Sequence, residues 1–238
     1  MLRHKKLIIF DMDGTLIDSI GIWTDVDCDL LKQLTGKDHD PALVQKHREE
    51  TLRRFRQDPD PYKRYGEFLA EAHGLTEDGA AVVKLRYEIA QRHLRSRIDY
   101  KPGVPEFLKE LKLRGYKLII ASTTKRMNME IYRAENTNIM SKAPIDKYFD
   151  AFYTQEDVKE TKPDPEVYHK ILKTYDLKPE DCIIFEDSLG GIDAANNAGF
   201  DVVAMYDKYS DKDRGAIDKK SQYQFRDFFE VLNAIKKD

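Results

Sequence analysis

The sequence predicts an α/β protein with three layers, in which a parallel sheet lies between helices and an all-helical domain is inserted after the first strand. From residue 102 onwards, short apolar runs alternate with amphipathic segments, which is typical of a parallel sheet covered on both faces. Residues 18–97 show helical periodicity and no strand pattern. We therefore expect a core of residues 1–17 and 98–238 and a helical domain of residues 18–97.

The composition argues against several classes of protein. The 238 residues carry a formal net charge of −3 and no long basic tract, which disfavours nucleic-acid binding. The N-terminal apolar run of four residues is too short for a signal peptide, and no run approaches the roughly 18 residues of a membrane span. Cys28 and Cys182 lack the spacing of metal ligands. We expect a cytoplasmic monomer with reduced thiols that binds neither nucleic acid nor membrane.

The first predicted strand, Leu7–Phe10, leads directly into Asp11 and Asp13, followed by Gly14 and Thr15. Ligands of an open parallel sheet bind at the carboxyl ends of its strands, and alternation would point both aspartates to one side. Two carboxylates so near to each other repel unless a cation or a shared proton compensates their charge. Mg²⁺ is the simplest such cation, because it prefers oxygen ligands. The alternative is an ordinary turn, because Asp and Gly are turn residues.

Four helices are expected in the inserted domain. Apolar residues recur at helical spacing in 22–34, 41–55, 61–73 and 76–94, with Gly36 and Gly74 as stops and Thr76 as the N-cap of the fourth helix. Short connections between four helices predict a small bundle.

The elements after residue 102 alternate regularly. Strands are predicted at 117–121, 151–153, 182–185 and 201–206, and helices at 104–114, 127–137, 166–177, 190–199 and 225–235, while the polar stretch 209–222 is predicted to be a loop.

Two further segments carry candidate anion-binding groups. Ser122 and Thr123 follow the strand at 117–121, where a hydroxyl and free backbone N–H groups suit a phosphate oxygen. An N-cap for the next helix is the alternative. Lys162 precedes two prolines that restrict the backbone, so it suits the counter-charge of a phosphate. A solvent-facing lysine is the alternative.

A second pair of acids, Glu186 and Asp187, follows the apolar run 182–185. Adjacent carboxylates at the end of a buried strand need a cation or solvent nearby. The small residues that follow, among them Gly190 and Gly191, would let the next helix approach the sheet and bring its N-terminus to the same pocket. An acidic turn before an Ala-rich helix is the alternative.

Taken together, the motifs FDMDGTLIDS, the strand-end Ser122, the KPDP lysine and FEDSLGGIDAANNAG resemble, in this order, the haloacid dehalogenase superfamily of phosphotransferases. The helical insertion resembles members with a small helical cap, which include β-phosphoglucomutase-like and phosphoglycolate phosphatase-like enzymes. The resemblance implies a Rossmann-like core, with residues 18–97 as the cap domain.

The resemblance also implies roles for these residues. Asp11 would be the nucleophile that attacks phosphorus, and Asp13 the general acid and base. Mg²⁺ would be held by Asp11, the Asp13 backbone carbonyl and Asp187, with Glu186 acting directly or through a water. Ser122, Thr123 and Lys162 would bind the phosphoryl group, and Gly14 and Thr15 would shape the loop. Dehalogenases lack an acid at the second position, so Asp13 favours phosphate esters.

The helical domain bears on the choice between two reactions. β-Phosphoglucomutases carry a histidine where this sequence has Trp23, which could be a pocket wall or plain core. Arg86 lies near the position of a substrate-binding lysine in those mutases. Arg53 belongs to a basic group with His47, Arg48, Arg54 and Arg56 that could meet an anionic substrate or form a solvated helix face.

We therefore expect a Mg²⁺-dependent phosphatase of a small phosphorylated metabolite such as a sugar phosphate. A sugar phosphomutase is the first alternative, and a non-catalytic binding module with the same fold is the second.

Overall fold

A sheet of six parallel strands forms the centre of the core within residues 1–236, which are the residues that the computed structural model describes. The strands are β1 (Leu7–Phe10), β2 (Lys117–Ala121), β3 (Ala151–Tyr153), β4 (Cys182–Glu186), β5 (Asp201–Met205) and β6 (Tyr223–Phe225). Their order across the sheet is β3-β2-β1-β4-β5-β6. In β1, Phe10 lies opposite Ile120 of β2 and Phe185 of β4, so three strands end side by side.

Helices make up most of the remaining chain. They are α1 (Ile22–Thr35), α2 (Pro41–Arg54), α3 (Pro61–His73), α4 (Gly79–Ser96), α5 (Val104–Leu113), α6 (Arg126–Ala134), α7 (Thr137–Lys142), α8 (Ile145–Tyr148), α9 (Glu166–Tyr175), α10 (Leu189–Asn197), α11 (Arg214–Lys220) and α12 (Phe228–Ile235). Short 3₁₀ helices span Gln155–Asp157, Pro179–Asp181 and Lys208–Asp213. None of the helices in residues 1–236 is long and apolar enough to cross a membrane.

The two faces of the sheet are covered by different helices because β1 alternates its buried side chains. Leu7 and Ile9 pack on one face with residues of α9, α10 and α11. On the other face Phe10 stacks on Phe185, with ring centroids 4.9 Å apart, and meets Phe107 of α5 edge-on. The predicted three-layer α/β fold is therefore confirmed.

The chain divides into two units. One unit contains Met1–Ile20 and the chain from Arg97 onwards, and the other contains Gly21–Ser96. We call the second the helical unit; its sequence-predicted limits were 18–97. Its core is formed by apolar residues of all four helices, among them Leu30, Val44, Leu69 and Ile89.

An ion cluster lies inside the helical unit. Asp27 of α1 is fully buried and accepts hydrogen bonds from Arg86 Nε at 2.5 Å and Arg48 Nη1 at 2.8 Å. The Arg86 guanidinium also lies 5.2 Å from the centre of the Trp23 ring. The Asp27 carboxylate thus links α1, α2 and α4 through buried ion pairs. Removing one partner of such a pair lowers stability, because the other charge stays buried without a partner.

The predicted loop at 209–222 is wrong, because most of it is helical. A 3₁₀ helix is followed by α11, in which Ile217 is completely buried against the core cluster. The seven residues of α11 contain only one large apolar side chain, Ile217, and therefore show no periodicity, so this helix depends on a tertiary contact that the local pattern does not reveal.

Several predicted helix ends also differ from the structure. The helix predicted at 127–137 is two helices, because Asn136 caps α7 by accepting a hydrogen bond from Ile139 N at 2.9 Å. The fourth helix begins at Gly79 rather than after Thr76, since the Asp78 side chain accepts a hydrogen bond from Ala81 N. The last helix begins at Phe228, with Asp227 as its N-cap.

Candidate active site

Three neighbouring strands deliver the polar side chains that the sequence singled out. Asp11 follows β1 and its backbone N–H donates to Phe185 O at 2.9 Å, while Ser122 follows β2 and its N–H donates to Tyr153 O at 2.9 Å. Glu186 is the last residue of β4. Since parallel strands end at one edge of the sheet, residues distant in sequence meet there.

These side chains line a cavity of about 270 Å³ in the core unit. Its walls are formed by Asp11, Asp13, Ile20, Thr123, Lys162, Glu186, Asp187, Ser188, Gly190, Gly191, Tyr209 and Ser210. The cavity therefore combines residues of all the predicted motifs with three that the sequence analysis missed, Ile20, Tyr209 and Ser210. Nothing in the sequence marks Tyr209 and Ser210, because they lie in a stretch without a recognisable motif.

Lys162 is the central cation of the cavity. Its Nζ lies 2.8 Å from Asp11 Oδ1, 2.6 Å from Glu186 Oε1 and 2.8 Å from Ala121 O, and only 6% of its side chain is exposed. An ammonium group has three N–H donors, and all three have acceptors here. Burial opposes its charge, but the two carboxylates outweigh burial and raise the pKa of Lys162 well above its ordinary value.

Three carboxylates cluster at the same edge of the sheet. Asp11, Glu186 and Asp187 are all buried, and each offers an oxygen within 4.8 Å of the others. Burial raises the pKa of Asp11 well above its ordinary value against the opposing charge of Lys162. Burial, followed by the charge of Glu186, raises the pKa of Asp187 to about 7. Lys162 pairs with two of these acids, Asp11 and Glu186, and a further cation would relieve the remaining repulsion among the three carboxylates.

The donor set of the cluster fits a hard divalent cation. Carboxylate oxygens are the ligands that Mg²⁺ takes in proteins, usually one or two carboxylates beside waters and phosphate. Asp11 and Asp187 are the better candidates. Glu186 is already committed, since Oε1 accepts from Lys162 while Oε2 accepts from the backbone N–H groups of Asp187 and Ser188 at 3.0 and 3.2 Å. Glu186 therefore chiefly positions the lysine.

The turn after β1 holds Asp187 in place. Thr15 Oγ1 donates to Asp187 Oδ1 at 2.7 Å. Gly14 has φ = +90°, and a Cβ on it would lie only 2.5 Å from Asp187 Oδ2. A side chain at position 14 would therefore be strained and would displace the acid. Position 191 likewise requires glycine, because a Cβ added to Gly191 would overlap the Glu186 carboxylate.

Asp13 lies in a hydroxyl-rich part of the cavity. Its Oδ1 accepts hydrogen bonds from Ser19 Oγ at 2.6 Å and Tyr132 OH at 3.1 Å, and Ser122 Oγ lies 3.5 Å from its Oδ2. Burial raises the pKa of the Asp13 carboxyl, and the hydrogen bonds from Ser19 and Tyr132 partly oppose this. A carboxyl that is protonated more readily than usual, at the wall of this cavity, suits proton transfer. The sequence analysis missed Tyr132, because a single tyrosine on a predicted helix carries no motif.

The hydroxyl residues after β2 occupy two environments. Ser122 is buried, and its Oγ accepts from Thr124 N at 3.1 Å, so the hydroxyl is held toward Asp13. Thr123 is exposed and lines the cavity. Both lie in the turn that precedes α6.

The three candidates from the helical unit have different surroundings. The Arg86 side chain is 1% exposed and bound to Asp27, and the half-buried Trp23 packs beside it. Arg53 is exposed on α2. Their participation in substrate binding stays a prediction.

The fold and the cavity define the class of the protein. It is an α/β protein with a Rossmann-like core, and the carboxyl edge of its sheet combines an oxygen-donor set for a divalent cation with a buried lysine. The chain belongs to the family of haloacid dehalogenase-like hydrolases, which matches residues 8–205. The predicted family and the predicted class of enzyme, a hydrolase, are thereby confirmed.

Similar proteins cover most of the chain. The phosphorylated carbohydrates phosphatase of Thermotoga maritima is 29% identical over 196 residues, which are 82% of each chain. Protein CbbY of Rhodobacter capsulatus is 28% identical over 226 residues, 86% of this chain and 87% of that protein. A solved structure of a candidate β-phosphoglucomutase from Thermotoga maritima aligns with a TM-score of 0.74 at 27% identity, covering 98% of this chain and 99% of the other.

Proposed function

We propose that the protein is a Mg²⁺-dependent phosphatase that hydrolyses a small phosphorylated metabolite, such as a sugar phosphate, through a phosphorylated Asp11. The observation that carries this proposal is the position of Asp11 at the end of β1, 2.8 Å from Lys162 Nζ and grouped with Asp187. The name of the similar Thermotoga maritima phosphatase supports a phosphorylated carbohydrate as the substrate class.

The first half of the proposed reaction transfers the phosphoryl group to the protein. An Asp11 carboxylate oxygen attacks phosphorus, and the bond between phosphorus and the leaving oxygen breaks. The electron pair of that bond remains on the leaving oxygen, which takes the proton from Asp13. Lys162 and Ser122 bind the phosphoryl oxygens. An acid is needed because an alkoxide leaves poorly without a proton.

The second half restores the enzyme. The Asp13 carboxylate takes a proton from water, and the resulting hydroxide attacks the phosphorus bound to Asp11. The bond between phosphorus and the Asp11 oxygen breaks and releases inorganic phosphate. Asp13 is protonated again and Asp11 is again a carboxylate, so the charges and protons balance over one turnover.

The approach of an anionic nucleophile to an anionic phosphate requires positive charge. When bound by Asp11, Asp187 and the Asp13 carbonyl, Mg²⁺ would neutralise oxygens of the phosphoryl group. Lys162 provides the charge that the chain itself holds in the cavity, and the protonated form of this lysine is strongly favoured.

A sugar phosphomutase is the second candidate. It is the less favoured of the two, since the similar Thermotoga maritima phosphatase is 29% identical and the candidate β-phosphoglucomutase 27%. Trp23 disfavours it, because the resemblance to β-phosphoglucomutases places a histidine there. The two candidates share phosphorylated Asp11 and differ only in the acceptor, which is water or a second sugar hydroxyl.

The test is a panel of sugar phosphates incubated with the protein and Mg²⁺, in which released phosphate is measured. Wild-type protein should release phosphate, and Asp11→Asn should not, whereas the exposed Asp18→Asn serves as a matched control. Incubation with β-glucose 1-phosphate and a trace of the bisphosphate separates the alternatives. Formation of glucose 6-phosphate without free phosphate would establish a mutase, and no reaction with any ester would contradict both candidates.

A further inference from the structure

A buried phenol from α6 contacts the carboxyl group that we propose as the general acid. Tyr132 is 1% exposed, and its OH lies 3.1 Å from Asp13 Oδ1. The same oxygen accepts a hydrogen bond from Ser19 Oγ at 2.6 Å. Two hydroxyl donors from separate segments thus converge on one carboxylate oxygen, whereas Ser122 Oγ lies 3.5 Å from the other.

We propose that Tyr132 is a positioning residue for Asp13. Together with Ser19 it holds Oδ1, so that the acidic proton resides on Oδ2 and passes from there to the leaving oxygen. This inference rests on the proposed function, because it assigns a role to Tyr132 only if Asp13 acts as an acid.

The hydrogen bonds that Asp13 accepts explain why the proton lies on its Oδ2. If Oδ1 were protonated, the hydroxyl of Ser19 or Tyr132 would have to turn away, and a buried hydrogen bond would be lost. A proton on Oδ2 preserves both bonds. Tyr132 acts as a donor here, since its O–H points to Asp13 Oδ1 at 3.1 Å.

The remaining groups around Asp13 are compatible with this arrangement. The hydroxyls of Ser122 and Thr124 also face its carboxylate. Ser122 Oγ lies 3.5 Å from Oδ2, a long separation for a hydrogen bond between oxygens, so it does not hold Oδ2 as firmly as Oδ1 is held. The oxygen that lies nearest to the proposed phosphate ligand Ser122 is therefore the one that can deliver a proton.

Tyr132→Phe tests this role, because it removes one hydroxyl and keeps the ring that fills the core. The measured quantity is kcat/KM for two phosphate monoesters, one with an alkyl alcohol and one with p-nitrophenol as the leaving group. Both values include the transfer to Asp11 and exclude the later hydrolysis step. We expect kcat/KM for the alkyl ester to fall about 10-fold or more, and that for the p-nitrophenyl ester to change less than about 2-fold, since only the alkoxide needs the proton.

Tyr100→Phe is the matched control. Tyr100 is buried in the same unit, and its OH donates to Ala143 O at 2.6 Å, outside the cavity. This variant loses a comparable hydrogen bond, and we expect the ratio of the two kcat/KM values to equal that of the wild type. A purely structural effect of removing a buried hydroxyl would appear in both variants.

Two results would overturn the inference: equal losses with both esters in Tyr132→Phe, or no loss with either. If Tyr132→Phe does not fold, Ser19→Ala removes the other bond to Oδ1, and the same selective loss is expected. Failure of the proposed function looks different, because the wild type would then hydrolyse neither ester. If the wild type hydrolyses the esters and Asp11→Asn does not, but Tyr132→Phe affects both esters equally, only the role of Tyr132 is refuted.

Discussion

Lys162 Nζ lies 2.8 Å from Asp11 Oδ1 and 2.6 Å from Glu186 Oε1, so the proposed nucleophile shares its counter-charge with a second buried acid. Glu186 in turn is held by the start of α10 through the backbone N–H of Ser188. The position of the lysine is therefore defined by the ends of two adjacent strands, before any substrate binds.

This pairing predicts the effect of removing the lysine charge. Lys162→Met leaves two buried carboxylates without their cation, and we expect a loss of about 3 kcal/mol of unfolding free energy, measured by urea denaturation, and a loss of phosphatase activity. Exposed Lys159→Met should change neither. Adding Glu186→Gln to Lys162→Met should recover part of the stability without restoring activity. A double variant no more stable than the single one would refute the pairing.

Binding of Mg²⁺ should stabilise the protein more at pH 8 than at pH 5.5. The pKa of Asp187 is about 7 in the fold without a cation, against about 3.9 in an unfolded chain. A raised carboxyl pKa means that the folded state holds the proton more tightly, so this contribution to stability is complete at low pH and is lost as the pH rises toward 7. Mg²⁺ needs the ionised acid and competes with the proton.

The measurement is the melting temperature with 10 mM Mg²⁺ or with EDTA at the two pH values. A cation at 100 times its dissociation constant adds about 2.7 kcal/mol. We expect the difference to be larger at pH 8 and to disappear in Asp187→Asn. An equal shift at both pH values would show that Asp187 does not hold the ion.

Gly14→Ala should disable the cation site through Asp187. The new Cβ would lie 2.5 Å from Asp187 Oδ2, in addition to the strain of φ = +90°. Gly115→Ala is a matched control, because Gly115 has φ = +79° and nothing within 4 Å of the added Cβ. Both variants should lose about 1 kcal/mol of stability from the left-handed backbone. Only Gly14→Ala should also lose the Mg²⁺-dependent thermal shift, and a normal shift there would contradict the assignment.

Asp13→Asn should impair turnover according to the leaving group. A general acid contributes about 10²- to 10⁴-fold, so kcat/KM for alkyl phosphates should fall in that range. The loss with p-nitrophenyl phosphate should be smaller, since p-nitrophenolate leaves without a proton. Asp18→Asn again provides the control. Equal losses with both esters would mean that Asp13 has another role.

Local patterns were sufficient for five of the six strands in residues 1–236, all except β6 (Tyr223–Phe225), and for the predicted members of the cavity. Leu7–Phe10 is an apolar run bounded by charge, and a parallel sheet brings the ends of such runs to one edge, so Asp11 and Glu186 meet although they are far apart in sequence. The order of strands and helices along the chain predicts this meeting, because the connections between successive elements are short and make the strands parallel.

Other features depend on contacts between distant segments. The helix around Ile217 forms because one side chain is buried in the core, and Tyr132 meets Asp13 because α6 follows β2 after a short turn. The ion pair between Arg86 and Asp27 also depends on tertiary contacts, because only the packing of α1 against α4 brings the two side chains together. Periodicity in the sequence shows which side of a helix or strand is apolar. It does not show which group a single buried polar side chain will bond, because that partner comes from a distant segment. Only the tertiary structure supplies the partner, and a buried polar group without one would be costly.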